Sequence, residues 1–214
     1  LEEWEEQLPE YMHLAYLPKA GLIRLRLSAY TQATSDEMDR QIRQLKSIVS
    51  DYLIIDEDLP LELAIGQRLR DSRLTIATAE SCTGGRLASL FNEWPGSSAW
   101  YKGSVIAYSN QVKEDVLGVS HDTLTAHGAV SEQTVIQMAE GVRNLLHADY
   151  AIATSGIAGP DGGSPEKPVG TVWIAWAGPQ GTTAECYHLG NLREQVTARA
   201  CQKALVKMLK NLQD

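Results

Sequence analysis

The sequence predicts an α/β protein in which a mixed, mostly parallel sheet is sandwiched by helices and preceded by a small α+β domain. From residue 61 onward, short apolar segments alternate with amphipathic segments of helical period, a pattern typical of a sheet covered on both faces. The acidic, proline-bearing stretch DEDLPL at residues 56–61 separates this part from the beginning of the chain. We therefore expect a small α+β linker domain at residues 1–58 and a larger domain at residues 59–214.

The smaller domain shows strand and helix patterns but no cluster of chemically active side chains. The pattern predicts strands at residues 14–17, 22–30 and 52–55, and a helix that carries Met38, Ile42, Leu45 and Val49 on one face. Thr34 and Glu37 have the spacing of a capping box at the start of that helix. We expect a packing or spacer role for this domain.

The larger domain supplies the alternation that defines the fold class. Apolar strands are predicted at residues 74–79, 104–109, 150–155, 171–177 and 182–189, and helices at residues 61–69, 85–94, 111–117, 131–147 and 193–212. The last two strands are joined by GPQG, which indicates an antiparallel hairpin. The sheet should therefore be mixed.

The composition narrows the classes of function. A net charge of −8 without a basic block argues against a nucleic-acid partner. No apolar run is long enough for a bilayer, and the acidic first ten residues do not resemble a signal peptide, so no membrane partner is expected. The three cysteines are odd in number and lack CxxC spacing, which disfavours a disulfide framework and a zinc site. We expect a cytoplasmic protein without a metal or a cofactor.

Three predicted strands end in unusual loops, and ligands of α/β sheets gather at such strand ends. The first loop, AESCTGG at residues 79–85, offers an acid, two hydroxyls and a thiol before a helix whose free N–H groups face either an anion or nothing at all. The third, at residues 154–170, holds five glycines and three prolines and is either a binding loop or a flexible flap.

The second loop, AYSNQVK at residues 107–113, places a lysine where helices disfavour one. Asn110 is expected to cap the next helix, so Lys113 falls in the first turn, where the helix dipole repels a cation. Either Lys113 is an ordinary solvated side chain, or it points into a cleft that shifts it toward the neutral amine. A neutral lysine beside a hydroxyl forms a nucleophile and base pair, and glycine-turn amides can stabilise an oxyanion. This set favours hydrolysis of an amide or ester.

Several motifs then resemble the CinA C-terminal domain, the nicotinamide mononucleotide amidohydrolase family. They are AESCTGG, PGSSAWYKGSVIAYSNQVK, HGAVSE and SGIAGPDGG followed by EKPVGTVW, in order over residues 61–212. The segment LAYLPKAGLIRLRLSAY resembles the linker domain that joins this amidase to an N-terminal molybdopterin-binding-like domain in full-length CinA proteins. That missing domain is an expected partner, and a homodimer is the expected assembly.

The resemblance implies hydrolysis of the carboxamide of nicotinamide mononucleotide to nicotinate mononucleotide and ammonia, which recycles the pyridine nucleotide. It implies Ser81 as the nucleophile, Lys113 as the base and Tyr108 as an aid to proton movement. The residues expected to contact the pyridine nucleotide are Glu80, Thr83, Gly84, Gly85, Ser98, Asn110, Ser155, Gly156, Gly159 and Gly163.

Three alternatives stay open at this point. Ser98 competes with Ser81 for the role of nucleophile. Cys82 is a candidate thiolate nucleophile, because thiols at helix N-termini are activated. The chain is alternatively a non-catalytic nucleotide-binding or regulatory module.

Overall fold

The computed structural model describes residues 1–19, 21–30 and 33–212. The chain folds as two units, Leu1–Asp58 and Leu59–Asp214. Among the helices of the described residues, none combines the length and the apolar composition that crossing a bilayer requires.

The smaller unit consists of a hairpin and two helices. Its elements are α1 (Glu2–Glu6), β1 (Met12–Lys19), β2 (Leu22–Ala29) and α2 (Ser35–Ile48). The two strands are antiparallel, with Met12 opposite Ala29. The Trp4 indole N–H donates to Gln41 Oε1 at 3.0 Å, which ties α1 to α2. As predicted, the Thr34 hydroxyl accepts from the Glu37 N–H at the start of α2.

The strand predicted at residues 52–55 is wrong. These residues form turns and irregular backbone between α2 and the larger unit, and Tyr52 is 84% exposed. The sheet of the smaller unit pairs β1 with β2 and includes no strand from this segment. A run of four apolar residues therefore had the composition of a strand without a neighbour to pair with.

The larger unit confirms the predicted mixed sheet flanked by helices. Its elements in chain order are α3 (Leu61–Asp71), β3 (Ile76–Glu80), α4 (Arg86–Asn92), a 3₁₀ turn (Ser97–Ala99), β4 (Tyr101–Ile106), α5 (Asn110–Asp115), α6 (His121–His127), α7 (Glu132–Leu145), β5 (Tyr150–Gly156), β6 (Thr171–Gly178), β7 (Gly181–His188) and α8 (Arg193–Asn211). The strand order is β4-β3-β5-β6-β7. β3 is parallel to both β4 and β5, whereas β6 is antiparallel to β5 and to β7.

The two faces of this sheet carry side chains of different size. Alanines such as Ala79, Ala153 and Ala175 share a buried cluster with Met138 and Val142 of α7. The intervening residues point to the other face, because successive side chains of a strand alternate. There the Trp176 indole N–H donates to the Ala204 carbonyl of α8 at 2.9 Å. Small side chains let α7 lie close to the sheet, and larger ones fill the layer beneath α8.

Gly141 allows a close approach between α7 and the chain that follows α5. A Cβ atom at this position would lie 1.9 Å from the carbonyl oxygen of Leu117. Two residues further on, the Val119 N–H donates to the Lys113 carbonyl at 3.0 Å. The segment that contacts Gly141 is thus hydrogen bonded to Lys113, the lysine that stood out in the sequence.

The cap of α5 and the presence of α6 differ from the prediction. Ser109, rather than Asn110, caps α5, and its hydroxyl accepts from the Val112 N–H at 3.3 Å. The sequence pattern did not predict α6, because the helix is one short polar segment with little apolar periodicity. Its Ser120 cap, which accepts from the Thr123 N–H, was the available signal.

Candidate active site

The carboxyl ends of β3, β4 and β5 meet at one edge of the sheet. Glu80 is level with Ile106 on one side and with Thr154 on the other, so the residues that follow these three positions are neighbours. A cavity of about 200 Å³ opens there. Its lining residues are Ser81, Cys82, Tyr108, Lys113, Ala129, Val130, Ser155, Gly156, Ala158 and Arg193.

Lys113 reaches back from α5 toward the end of β3. Its Nζ lies 2.7 Å from the Ala107 carbonyl oxygen, 3.4 Å from the Tyr108 carbonyl oxygen and 3.3 Å from Ser81 Oγ. The residue is 1% exposed. Among the described residues no carboxylate forms an ion pair with it, and carbonyl and hydroxyl oxygens are its hydrogen-bond partners.

The environment of Lys113 favours its neutral form. Burial lowers the pKa of the ammonium from its ordinary value, and the negative charge of a Cys82 thiolate would oppose that shift. A neutral amine has two N–H bonds and one lone pair. In that form the two backbone carbonyls would accept the two N–H bonds and the lone pair would face the Ser81 hydroxyl, whereas in the ammonium form all three oxygens accept N–H bonds. The arrangement therefore suits proton abstraction from Ser81.

Cys82 lies beside Ser81, and burial favours its neutral form as it does for Lys113. Its side chain is buried, and that burial raises the pKa of the thiol to about 12. A thiol with such a pKa stays protonated at neutral pH and is a poor nucleophile. This environment disfavours the cysteine alternative.

The turn after β3 commits most of its amides to the protein itself. The Ser81 N–H donates to the Thr154 carbonyl at 3.0 Å, and the Gly84 N–H donates to the Ser81 carbonyl at 3.1 Å. The Gly85 N–H donates to the Glu80 carboxylate at 3.0 Å. Among the described residues, no other residue accepts a hydrogen bond from the N–H group of Cys82 or of Thr83. Of these two residues, Cys82 lines the cavity.

Glu80 does not contact the cavity, contrary to the prediction for this residue. Its side chain is fully buried and accepts hydrogen bonds from the N–H groups of Gly85, Leu87 and Ala88 and from the Thr83 hydroxyl. The sequence left open whether the first amides of α4 face a ligand anion. They face this internal carboxylate instead, so they are not available to a substrate.

Ser155 and Gly156 form the wall on the β5 side. The Ser155 hydroxyl donates to the Ala129 carbonyl at 2.6 Å, which joins β5 to the turn before α7. At Gly156 a Cβ atom would lie 2.7 Å from the Thr171 carbonyl oxygen, so the close approach of β6 requires glycine there. The structure thus places both predicted residues at the cavity.

Arg193 stands at the cavity rim and was missed in the sequence. Its guanidinium donates to the Gly159 carbonyl at 3.2 Å and contacts the Tyr108 hydroxyl at 3.4 Å. Tyr108 is 64% exposed, and among the described residues its hydroxyl bonds to Arg193 rather than to Ser81 or Lys113. Only its backbone carbonyl contacts Lys113, so its predicted part in proton movement stays a prediction. The signal for Arg193 was available, since it repeats that of Lys113: a cation in the first turn of a helix.

The prediction for Ser98 is wrong. Ser98 belongs to the 3₁₀ turn before β4, and β4 starts level with the beginning of β3. Since the two strands are parallel, Ser98 lies at the opposite end of the sheet from Ser81. The structure leaves Ser81 as the hydroxyl beside Lys113.

The remaining predicted contacts do not line the cavity. These residues are Thr83, Gly84, Gly85, Asn110, Gly159 and Gly163. Thr83 is buried between Glu80 and Thr154, and Asn110 is exposed at the start of α5. Gly159 acts through its carbonyl on Arg193, and a Cβ atom at Gly163 would contact Val169 within the loop.

Comparison with known proteins connects this geometry to a family. A family model described as the CinA C-terminal domain matches residues 58–212. The chain belongs to the CinA C-terminal domain family. A CinA-like protein of Flavobacterium psychrophilum is 41% identical over 216 residues, covering 99% of this chain and 52% of the relative. The chain therefore spans about half the length of this CinA-like relative.

In two further relatives the matched region makes up almost the whole protein. The nicotinamide-nucleotide amidohydrolase PncC of Escherichia coli is 46% identical over 160 residues, covering 72% of this chain and 97% of that protein. The crystal structure of the competence damage-inducible protein A of Klebsiella pneumoniae superposes with a TM-score of 0.69 at 38% identity, over 72% of this chain and 95% of that one. This CinA domain is thus found both in longer chains and as a separate protein.

Proposed function

We propose that this chain hydrolyses the carboxamide of nicotinamide mononucleotide to nicotinate mononucleotide and ammonia, with Ser81 as nucleophile and Lys113 as general base. The observation that carries the proposal is a buried amine without a carboxylate partner among the described residues, 3.3 Å from a serine hydroxyl in a cavity. The similarity to the amidohydrolase PncC of Escherichia coli supports the choice of substrate.

The chemistry proceeds in two halves. Ser81 Oγ attacks the carboxamide carbon while its proton passes to Lys113 Nζ, which forms a tetrahedral oxyanion. The Lys113 ammonium then gives its proton to the leaving nitrogen, ammonia departs, and a nicotinoyl ester remains on Ser81. Water, deprotonated by Lys113, attacks this ester; the carboxylate product leaves, and Ser81 regains its proton.

The oxyanion needs a donor that the fold has not already used. Within the turn, the N–H groups of Ser81, Gly84 and Gly85 donate to protein acceptors. We assign the Cys82 N–H as the donor, because Cys82 lines the cavity and its N–H has no acceptor in another of the described residues. An amide directly after the nucleophile is a recurrent oxyanion donor in hydrolases.

Arg193 is the candidate partner of the substrate phosphate. It is an exposed cation at the rim, held by the Gly159 carbonyl, whereas Lys113 is buried with its Nζ engaged. The first amides of α4 are bonded to Glu80 and leave the phosphate no site there. Guanidinium groups bind phosphate through charge-assisted, often bidentate hydrogen bonds.

The test is ammonia release by the purified chain from four compounds. Nicotinamide mononucleotide should be hydrolysed fastest, and nicotinamide riboside, which lacks the phosphate, should show a higher KM. Free nicotinamide and intact NAD should be poor substrates, because one lacks the phosphate and the other carries a bulky adenylate on it. Saturable nucleotide binding without ammonia would contradict the proposal and favour a regulatory module.

A further inference from the structure

Glu80 immediately precedes Ser81, yet its carboxylate is buried on the side away from the cavity. Four donors surround it: the Thr83 hydroxyl at 2.7 Å and the N–H groups of Gly85, Leu87 and Ala88 at 3.0, 3.0 and 2.7 Å. The N–H groups of Leu87 and Ala88 in the first turn of α4, and that of its N-cap residue Gly85, have no partner inside the helix. A buried carboxylate is costly unless such donors satisfy it, so this cluster is a specific feature of the turn.

A chain of hydrogen bonds leads from this carboxylate to the backbone of the nucleophile. The Thr83 hydroxyl, which donates to Glu80, also lies 2.7 Å from Thr154 Oγ1. Thr154 in turn accepts the Ser81 N–H on its carbonyl at 3.0 Å. Because Glu80 and Ser81 are consecutive residues, these hydrogen bonds close a ring that joins the end of β3 to the end of β5. Its members are Glu80, Ser81, Thr83 and Thr154.

The turn needs such a fixing element because its own backbone is permissive. Gly84 and Gly85 both have positive φ angles, of 60° and 94°. Glycine visits this region at little cost and also leaves it at little cost, so the glycines alone do not hold one conformation. The hydrogen bonds from Thr83 and Gly85 to Glu80 supply the restraint that the glycines lack.

We propose that Glu80 is a positioning residue of the nucleophile: its buried carboxylate fixes the Ser81–Gly85 turn and so holds Ser81 Oγ beside Lys113. This inference rests on the proposed function and adds a residue that acts on the reaction without touching the substrate. Since proton transfer depends on the distance between Ser81 Oγ and Lys113 Nζ, loosening the turn should slow the chemical step and leave substrate binding nearly intact.

The experiment compares Glu80→Gln with Thr83→Val and Thr83→Ser in the full chain. Glu80→Gln keeps the shape but loses the charge and one acceptor atom. It should lower kcat by about 10- to 100-fold with KM changed by less than about threefold. Thr83→Val should lower kcat in the same way, Thr83→Ser should keep it, and the double variant Glu80→Gln/Thr83→Val should lose less than the product of the single losses.

Thr78→Val is the matched control. Thr78 is also buried on β3, but its hydroxyl bonds to the Tyr101 hydroxyl at 3.1 Å, away from the turn. Thr78→Val removes a hydrogen bond of a buried hydroxyl, of similar length, and should leave kcat within about twofold of the parent value. A general loss of stability would affect this control as well, so its behaviour separates positioning from folding.

A second readout keeps this inference independent of the substrate assignment. A fluorophosphonate forms an ester with a reactive serine as fluoride leaves, and peptide mass spectrometry identifies Ser81 as the labelled residue. Its labelling rate should fall in Glu80→Gln and Thr83→Val by factors similar to those in kcat. If the parent chain labels at Ser81 but releases no ammonia from nicotinamide mononucleotide, the proposed function fails while the labelling rates still test Glu80.

Two results would overturn the positioning role. One is a folded Glu80→Gln whose kcat and labelling rate stay within about twofold of the parent. The other is a rise in KM with unchanged kcat, which would mean that Glu80 acts on binding. If Glu80→Gln does not fold, equal kcat values in Thr83→Val and Thr83→Ser overturn the inference, and a loss confined to Thr83→Val supports it.

Discussion

The two ends of the five-stranded sheet hold their polar side chains in different ways. At the amino end, Asp149 accepts from both the N–H and the hydroxyl of Thr75, and Arg143 donates to the Asp149 carbonyl. These residues are half-buried. At the carboxyl end, Lys113 is 1% exposed and has no carboxylate partner among the described residues.

This difference separates polar groups that stabilise the fold from polar groups kept for chemistry. The Asp149–Thr75 bonds connect the residues that precede β3 and β5. A buried amine without a counter-ion costs stability, so its retention indicates a functional reason. The substitutions below test whether activity depends on one end of the sheet and stability on the other.

The largest effect is expected for Ser81. Ser81→Ala removes the nucleophile and should lower kcat for ammonia release by about 10⁴-fold or more while circular dichroism shows an intact fold. Ser98→Ala, at the opposite end of the sheet, should stay within about twofold of the parent. Comparable losses in both variants, or turnover retained in Ser81→Ala, would refute the assignment to the carboxyl end.

Lys113→Met should lower kcat by about 10³-fold, because an unbranched apolar chain fills the space without supplying a base. The kcat of the parent should rise with pH, since the amine must be neutral. The apparent pKa of that rise should lie below the ordinary lysine pKa of about 10.4. A steady-state pH profile measures it. An acid limb that persists in Lys113→Met would assign the titration to another group.

A smaller effect is expected at the rim. Arg193→Gln should raise KM for nicotinamide mononucleotide by about 10- to 100-fold with little change in kcat, which is the size of a lost charge-assisted hydrogen bond. Arg199→Gln is the matched control, since Arg199 on the same helix donates to the Leu189 carbonyl and does not line the cavity. Equal KM shifts in the two variants would point to a general charge effect.

At the amino end of the sheet we expect the opposite result, a loss of stability without a loss of activity. Asp149→Asn should lower the free energy of unfolding by about 1–3 kcal/mol, because a neutral amide oxygen replaces the charged acceptor of two hydrogen bonds. Ammonia release by the folded variant should stay near the parental rate. Urea denaturation together with the activity assay measures both quantities, and a large loss of kcat would break the division between the two ends.

The smallest effect concerns stability against pH. Because burial lowers the pKa of Lys113 in the folded chain, the unfolded chain binds the extra proton between that pKa and about 10.4. The contribution of Lys113 to stability therefore falls as pH falls through this window, and Lys113→Met lacks that loss. The melting temperature of Lys113→Met relative to that of the parent should rise as pH falls through this window. Parallel curves of melting temperature against pH would contradict the pKa shift.

The sequence predicted much of this architecture because its signals were local. Alternating apolar strands, amphipathic helices and the GPQG hairpin indicated the mixed sheet. Lys113 stood out because the expected Asn110 cap placed it in the first turn of a helix, whereas the Ser109 cap makes it the fourth residue of α5, in the last turn. The sequence could not show that Glu80 would occupy the first amides of α4, since that contact depends on the turn closing back on the strand.

Ser98 shows the other limit of prediction from sequence. It lies in the motif PGSSAWYKGSVIAYSNQVK, and the resemblance of that motif to the family implied that Ser98 borders the site. The parallel pairing of β3 and β4 puts the beginning and the end of that motif at opposite ends of the sheet. The predicted homodimer, the molybdopterin-binding-like domain as partner and the cytoplasmic location stay predictions.

Gly141 limits how this chain can be made more heat-resistant. Replacing an interior helix glycine with alanine is a standard route to thermostability, worth about 1 kcal/mol. Here the new methyl carbon would collide with the carbonyl of Leu117, and the displaced segment is hydrogen bonded to Lys113 through Val119. Gly141→Ala would thus lower the stability of the fold and also shift the base, so laboratory selection for heat tolerance and selection for turnover should both reject it.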